Sequence, residues 1–135
     1  MTDFVNQLDA LFDVAPEAAF NADSKVGDSV AGFIESVKLS QAFDSETRRP
    51  AVWDDGRPQM VLSVVVETDG QLKTVYIKTW GVQRKALAKA VKDAGGRKVS
   101  DVLIEGSEFT ARYVGDEKAT VKGHDDTKLY EYAIG

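Results

Sequence analysis

Two runs rich in β-branched residues, separated by only three residues, constrain the fold of this chain most strongly. Residues 60–68 and 72–80 each have the length and composition of a β-strand, and the second run alternates between two sets of side chains. Between them, Asp69-Gly70 favours the positive backbone angles of a tight turn. The sequence therefore predicts an antiparallel hairpin at the centre of the fold.

Further runs extend this hairpin into a β-rich domain. We predict a first strand over residues 28–38, coiled or bulged at Gly32, and two last strands near residues 108–114 and 128–134. Residues 81–94 carry an apolar stripe at helical spacing and end at Gly95-Gly96, a signal for a helix C-terminus. Residues 102–104 are a candidate for one more brief strand.

The order of these elements predicts the fold class. A mainly β chain with five strands and a helix between strands three and four matches the five-stranded Greek-key barrel of the oligonucleotide/oligosaccharide-binding (OB) fold. In that fold, strands two and three form the binding surface with the loops that join strands one to two and four to five. We expect the barrel to occupy residues 25–135.

The first 24 residues differ from the rest of the chain. Phe4, Val5, Leu8, Leu11 and Phe12 share one face of a predicted N-terminal helix, and residues 15–24 resemble a connector. This segment holds five acids and no Lys or Arg, so it accounts for the whole formal charge of −5 of the chain. The helix either packs on the domain or docks another chain, such as a replication partner or a second copy.

Composition excludes several classes of function. The chain has no Cys and a single His, which removes disulfides, thiol catalysis and sites that need two imidazoles. It contains no phosphate-loop or nucleotide-binding glycine motif, and adjacent acids such as Asp54-Asp55 need partners from elsewhere to hold a metal. We therefore expect a protein that is not an enzyme, with no cofactor, no metal and no membrane association.

The third predicted strand carries the clearest functional signal. One side of it carries Thr74, Tyr76, Lys78 and Trp80, and the other carries Val75, Ile77 and Thr79. Aromatic rings beside cations suit a single-stranded nucleic acid, because bases stack on the rings and the cations neutralise phosphates. The alternative is that Tyr and Trp are ordinary strand residues that cover a barrel end.

Other candidates lie in loops and on neighbouring elements. The long polar segment 40–58 has residues that could close over a bound strand, with a solvated loop as the alternative. The loop candidates are Arg48, Arg49, Trp53 and Arg57, and the candidates elsewhere are Lys73, Arg84, Arg112 and Lys122. Phe33, Phe43 and Phe109 are expected in the core, and Tyr113, Tyr130 and Tyr132 in the core or at the barrel rim.

A family resemblance points the same way. The run from Tyr76 to Leu87, the opening residues 26–32 and the closing residues 129–134 resemble the OB-type single-stranded-DNA-binding proteins of bacteriophages that infect actinobacteria. The resemblance spans residues 25–134 and implies protection of single-stranded DNA during replication or recombination in the host cytoplasm. Many single-strand binders end in an acidic tail, whereas this sequence ends in a predicted strand.

These observations lead to one functional expectation and its alternatives. We expect non-enzymatic binding of single-stranded DNA with little sequence preference, with Tyr76, Trp80 and Trp53 stacking bases. The alternatives are a protein-interaction module of OB type, a self-associating accessory protein, and an RNA binder, since stacking and phosphate contacts do not sense a 2′-hydroxyl.

Overall fold

Extended backbone dominates the computed structural model, which describes residues 17–21, 23–44, 47–118 and 127–135. The strands are β1 (Glu17–Ala18), β2 (Ser29–Gln41), β3 (Phe43–Asp44), β4 (Arg49–Pro50), β5 (Met60–Thr68), β6 (Gln71–Lys78), β7 (Glu108–Glu117) and β8 (Thr127–Ile134). The helices are α1 (Gly81–Asp93) and α2 (Val99–Val102). The mainly β class is confirmed.

One curled sheet organises these strands. Its order is β1-β6-β5-β2-β7-β8, and β3 and β4 form a separate two-stranded ribbon. Neighbours in the large sheet are antiparallel except for β1, which runs parallel to β6. The sheet thus has six strands where the sequence predicted five, because β1 lies within the segment that was expected to be a connector.

The central hairpin forms at the predicted dipeptide. Asp69 and Gly70 have φ values of 51° and 77°, and Thr68 pairs with Gln71 across the turn. Two consecutive positive φ values give a turn whose twist matches that of the flanking strands. This prediction is confirmed.

Gly32 allows β2 to serve two neighbours at once. Phe33, the next residue, pairs with Glu67 of β5 and with Glu108 of β7. A Cβ atom at Gly32 would overlap the carbonyl oxygen of Glu67. The bulge itself lies farther along, between Ile34 and Ser36, so the missing side chain serves a close approach of two strands.

The core fills the concave side of the sheet and is closed by α1. Phe109, Ile77, Val64, Val66 and Val75 are fully buried, and Leu87 and Val91 of α1 pack against them. The helix ends as predicted: Gly95 N–H donates to the Lys92 carbonyl, and Gly96 N–H donates to the Val91 carbonyl. These two bonds are the Schellman arrangement of a helix C-terminus.

The gap between β6 and β8 is bridged by side chains and by β1. Gln83 of α1 accepts from the Lys78 backbone N–H at 2.9 Å and donates to the Lys128 carbonyl at 3.2 Å. On the same edge, Ala19 N–H donates to the Thr74 carbonyl at 2.8 Å. The Phe20 ring centroid lies 5.0 Å from that of Tyr130 on β8. These contacts join two strands that are not neighbours in the sheet order.

Several local predictions need correction. The brief strand expected at 102–104 is absent, because residues 99–102 form α2. Phe33 and Phe43, expected in the core, are 61% and 65% exposed, because each lies on a solvent-facing side of its strand. Phe109 is fully buried and Tyr113 is buried, as predicted. The predicted N-terminal helix lies outside the described residues, and no helix in the described ranges is long and apolar enough to span a membrane.

Candidate nucleic-acid interface

The outer face of β6, β5 and β2 carries two rows of paired residues near the end of β6. Because residues that pair across antiparallel strands project on the same side, the register defines each row. One row is Tyr76, Ser63 and Lys38, and the other is Lys78, Val61 and Ser40. We call these six residues the Tyr76 face.

Tyr76 is the exposed ring of this face. It is 51% exposed, whereas its neighbours Val75 and Ile77 are buried, so the predicted alternation holds at this part of β6. Thr74, expected on the outer side, is only 4% exposed, because β1 pairs alongside it. At this end of β6, the open part of the outer surface therefore begins at Tyr76 and continues towards Trp80.

In the first row of this face, the small side chain on β5 lies between larger side chains on β6 and β2. Ser63 stands between Tyr76 on one side and Lys38 on the other. Strands lie about 4.8 Å apart, so the ring and the ammonium group project from backbones about 10 Å apart. Such a face offers an aromatic ring on one flank and a cation on the other.

Two tryptophans meet at the end of this face. The Trp53 and Trp80 ring centroids lie 5.3 Å apart at an interplanar angle of 86°, an edge-to-face contact. Lys78 Nζ lies 5.9 Å from the Trp80 ring centroid. Trp53 is 38% exposed and Trp80 is partly buried. The structure thus brings the loop tryptophan and the strand-end tryptophan together, beside the lysine of the same face.

Local hydrogen bonds hold the loop that carries Trp53. Trp53 N–H donates to the Arg57 carbonyl, and Gly56 N–H donates to the Trp53 carbonyl, each at 2.8 Å. Gly56 has a φ of 85°, a backbone angle that glycine adopts without strain. The described residues of segment 40–58 therefore form a short two-stranded ribbon and a hydrogen-bonded turn.

The three loop arginines are exposed, in three different settings. Arg48, with a φ of 58°, lies in the turn between β3 and β4, and Arg49 lies on β4 opposite Asp44. Arg57 Nε lies 2.6 Å from Asp55 Oδ2, and both side chains are exposed. Exposed pairs of this kind are weak, so Arg57 can exchange its carboxylate for a phosphate at low cost.

Three further predicted residues among those described lie outside the Tyr76 face. Lys73 has the opposite orientation on β6, and its Nζ lies 2.7 Å from Glu17 Oε2. That hydrogen bond holds the pKa of Glu17 below its ordinary value. Arg112 lies on β7, paired with Ser29 and Glu131. Arg84 is exposed in the first turn of α1, next to the face but outside it, and Lys122 lies outside the described residues.

Lys38 and Ser63 are two of the four members of the face for which the sequence predicted no binding role. Both were assigned to strands without any role. The signal that identifies them is the strand register, which depends on the bulge between Ile34 and Ser36. Past that bulge, Lys38 projects outwards beside Ser63.

Apart from Glu17, the described groups whose pKa values are clearly shifted are inner tyrosines. The Tyr113 hydroxyl donates to Asp116 Oδ1 at 2.7 Å, and this bond raises the pKa of Tyr113 to about 12. Burial raises the pKa of Tyr130 and Tyr132. Among the residues that the structure describes, no group of three or more acids or histidines is arranged to hold a metal ion.

Comparison of the chain with protein-family models, with curated proteins and with solved structures finds no match. The resemblance to phage single-stranded-DNA-binding proteins therefore stays a prediction. What the described residues establish is a curled β-sheet with an exposed face of aromatic, small and cationic residues.

Proposed function

We propose that this protein binds single-stranded DNA without strong sequence preference and without catalysis. The observation that carries the proposal is the juxtaposition of the exposed Tyr76 ring and the Trp53–Trp80 pair with Lys78 and Lys38. Base stacking on aromatic side chains contributes about 1–3 kcal/mol per base and tolerates any base. The resemblance to phage single-stranded-DNA-binding proteins supports, as part of the proposal, a role in replication or recombination in the host cytoplasm.

The strand order supports an OB-type barrel as the scaffold. The order β6-β5-β2-β7-β8, with α1 between β6 and β7 in the chain, is the order expected of the five strands of that fold. In this assignment, β5 and β6 are strands two and three, and segment 42–59 is the loop between strands one and two. The Tyr76 face then coincides with the surface that OB folds use for oligonucleotides.

Each residue has a distinct role in the proposed complex. Tyr76 and the exposed part of the tryptophan pair stack on bases, and the small Ser63 leaves space for the strand. Lys38 and Lys78 contact phosphates from the two sides of that space. Arg48, Arg49 and Arg57 approach the backbone from the ribbon and its turn, since the planar guanidinium group suits both phosphate contacts and stacking.

Tryptophan fluorescence provides a direct test. Titration with oligo-dT should quench Trp53 and Trp80, salt should reverse the quenching, and duplex DNA of equal length should bind much more weakly. The affinity should fall with salt at a slope of about −0.7 for each phosphate neutralised. Trp80→Ala should weaken binding while circular dichroism stays unchanged. Equal binding of duplex, or no effect of Trp80→Ala, would reject the proposal.

A further inference from the structure

A second exposed surface lies at the other end of the β5–β6 hairpin. The register places Leu72, Glu67, Phe33 and Glu108 in one row on the outer side of four adjacent strands. Phe33 is 61% exposed and Leu72 is 40% exposed. Phe33, Glu67, Glu108 and Asp69 also line a depression of about 440 Å³. We call this row with Asp69 the Phe33 face.

This face pairs an apolar centre with a negative rim. The carboxylates of Glu67, Asp69 and Glu108 are exposed and have no cationic partner among the described residues. An exposed aromatic ring surrounded by acids would be matched by a small apolar spot surrounded by bases.

The outer face of α1 has that complementary pattern. Lys85, Ala88, Lys89 and Lys92 follow the spacing of one helix face, and all four are exposed. The opposite face, with Leu87 and Val91, packs in the core. Three lysines thus surround one alanine, and only Lys89 has an acidic partner among the residues described, at 3.4 Å from Asp93.

We propose that the Phe33 face of one copy docks on the outer face of α1 of a second copy. The Phe33 ring would cover Ala88 and the aliphatic parts of the lysines, and Glu67 and Glu108 would pair with Lys85 and Lys92. Both faces point away from the same domain, so one chain cannot join them itself. Two different patches in contact make a head-to-tail interface, which extends into a row of copies unless the rotation closes a ring.

Sedimentation velocity of the full chain without nucleic acid tests this contact. At low salt the average mass should rise with protein concentration, and it should return to the monomer in about 1 M salt, where charges are screened within about 3 Å. Because no DNA is present, this result is independent of the proposed function. A chain that stays monomeric at every concentration in low salt would overturn the proposal.

Charge reversal identifies the faces. Glu67→Lys with Glu108→Lys, and separately Lys85→Glu with Lys92→Glu, should each weaken self-association at least about tenfold, because like charges would then meet. The four substitutions together leave the net charge unchanged and should restore self-association. Glu117→Lys with Glu131→Lys, the control with equal charge change, should associate as the original chain does. Failure of the fourfold variant to regain association, or an equal loss in the control, would overturn the assignment.

Discussion

The two ends of the β5–β6 hairpin carry surfaces of opposite charge on the outer side of the same sheet. Near Trp80, the Tyr76 face combines an exposed ring with Lys38 and Lys78. Near the Asp69-Gly70 turn, the Phe33 face combines an exposed ring with acids. Each surface has an aromatic centre, so the difference between them is almost entirely one of charge.

This contrast shows how an acidic chain can offer a cationic surface. The formal charge of −5 is a sum over the whole chain, whereas a bound polyanion senses the local potential. In the proposed complex, acids at the turn end would keep a nucleic acid away from Phe33, and lysines at the other end would attract it to Tyr76. The account predicts that equivalent changes at the two ends have different consequences.

Removal of one aromatic ring at each end of the hairpin should give the largest difference in affinity for oligo-dT. Tyr76→Ala should weaken oligo-dT binding about 5- to 150-fold, which corresponds to one lost stack of about 1–3 kcal/mol. Phe33→Ala removes a ring that is at least as exposed from the same sheet and should leave binding to a short oligonucleotide unchanged. Fluorescence anisotropy measures both. An equal loss in the two variants would mean that the ends do not differ in the way described.

Two glutamines allow a comparison of stability: Gln71 begins β6, and Gln83 of α1 accepts from the backbone N–H of Lys78 at the other end of that strand. Gln83→Leu leaves the Lys78 N–H and the Lys128 carbonyl without their partner, and should lower the free energy of unfolding by about 1–3 kcal/mol. Gln71→Leu changes an exposed glutamine at the turn and should shift it by less than about 0.5 kcal/mol. Urea unfolding monitored by circular dichroism gives both values. Similar losses would show that Gln83 does not tie β6 to β8.

The lysines should differ in how much each contributes to the salt dependence of DNA binding. Lys38→Ala and Lys78→Ala should each reduce the slope of log affinity against log salt by about 0.7, the amount for one phosphate contact on a single strand. Lys73→Ala should leave the slope unchanged, because that side chain pairs with Glu17 away from the Tyr76 face. A reduced slope for Lys73→Ala with none for Lys38→Ala would favour the sequence-based assignment.

Alkaline pH should affect stability without distinguishing the ends. The pKa of Tyr113 is raised to about 12 by its bond to Asp116, whereas an unfolded tyrosine titrates near 10. As the pH rises, Tyr113 therefore loses its proton at a lower pH in the unfolded chain than in the folded chain. The stabilisation that its bond to Asp116 contributes is complete below about pH 10 and disappears as the pH rises towards about 12. Tyr113→Phe should flatten this decline in thermal unfolding curves. An unchanged decline would assign it to other groups.

Local signals in the sequence predicted local structure well. Asp69-Gly70 specifies its turn through backbone angles alone, and Gly95-Gly96 ends α1 for the same kind of reason. The alternation that exposes Tyr76 between Val75 and Ile77 was likewise readable without knowledge of the partner strands. Each of these features depends on a few adjacent residues.

Register and long-range contacts were not predictable in this way. Gly32 and Ile34 line the inner side of β2, and without a bulge Lys38 would have followed them inwards. The extra residue between Ile34 and Ser36 reverses the alternation and places Lys38 outside. The Trp53–Trp80 contact joins a loop to the end of a distant strand. The pairing of β1 with β6 joins two segments that are far apart in sequence, and no short-range pattern in either segment predicts it.

The location of bound DNA tests the central claim most directly. In a titration of the isotopically labelled protein with oligo-dT, the backbone amide signals that move should be those of the Tyr76 face, with the indole signals of Trp53 and Trp80. The signals of Phe33, Glu67 and Glu108 should stay in place. Shifts concentrated at the Phe33 face, or no shifts at Tyr76, Ser63 and Lys38, would contradict the account.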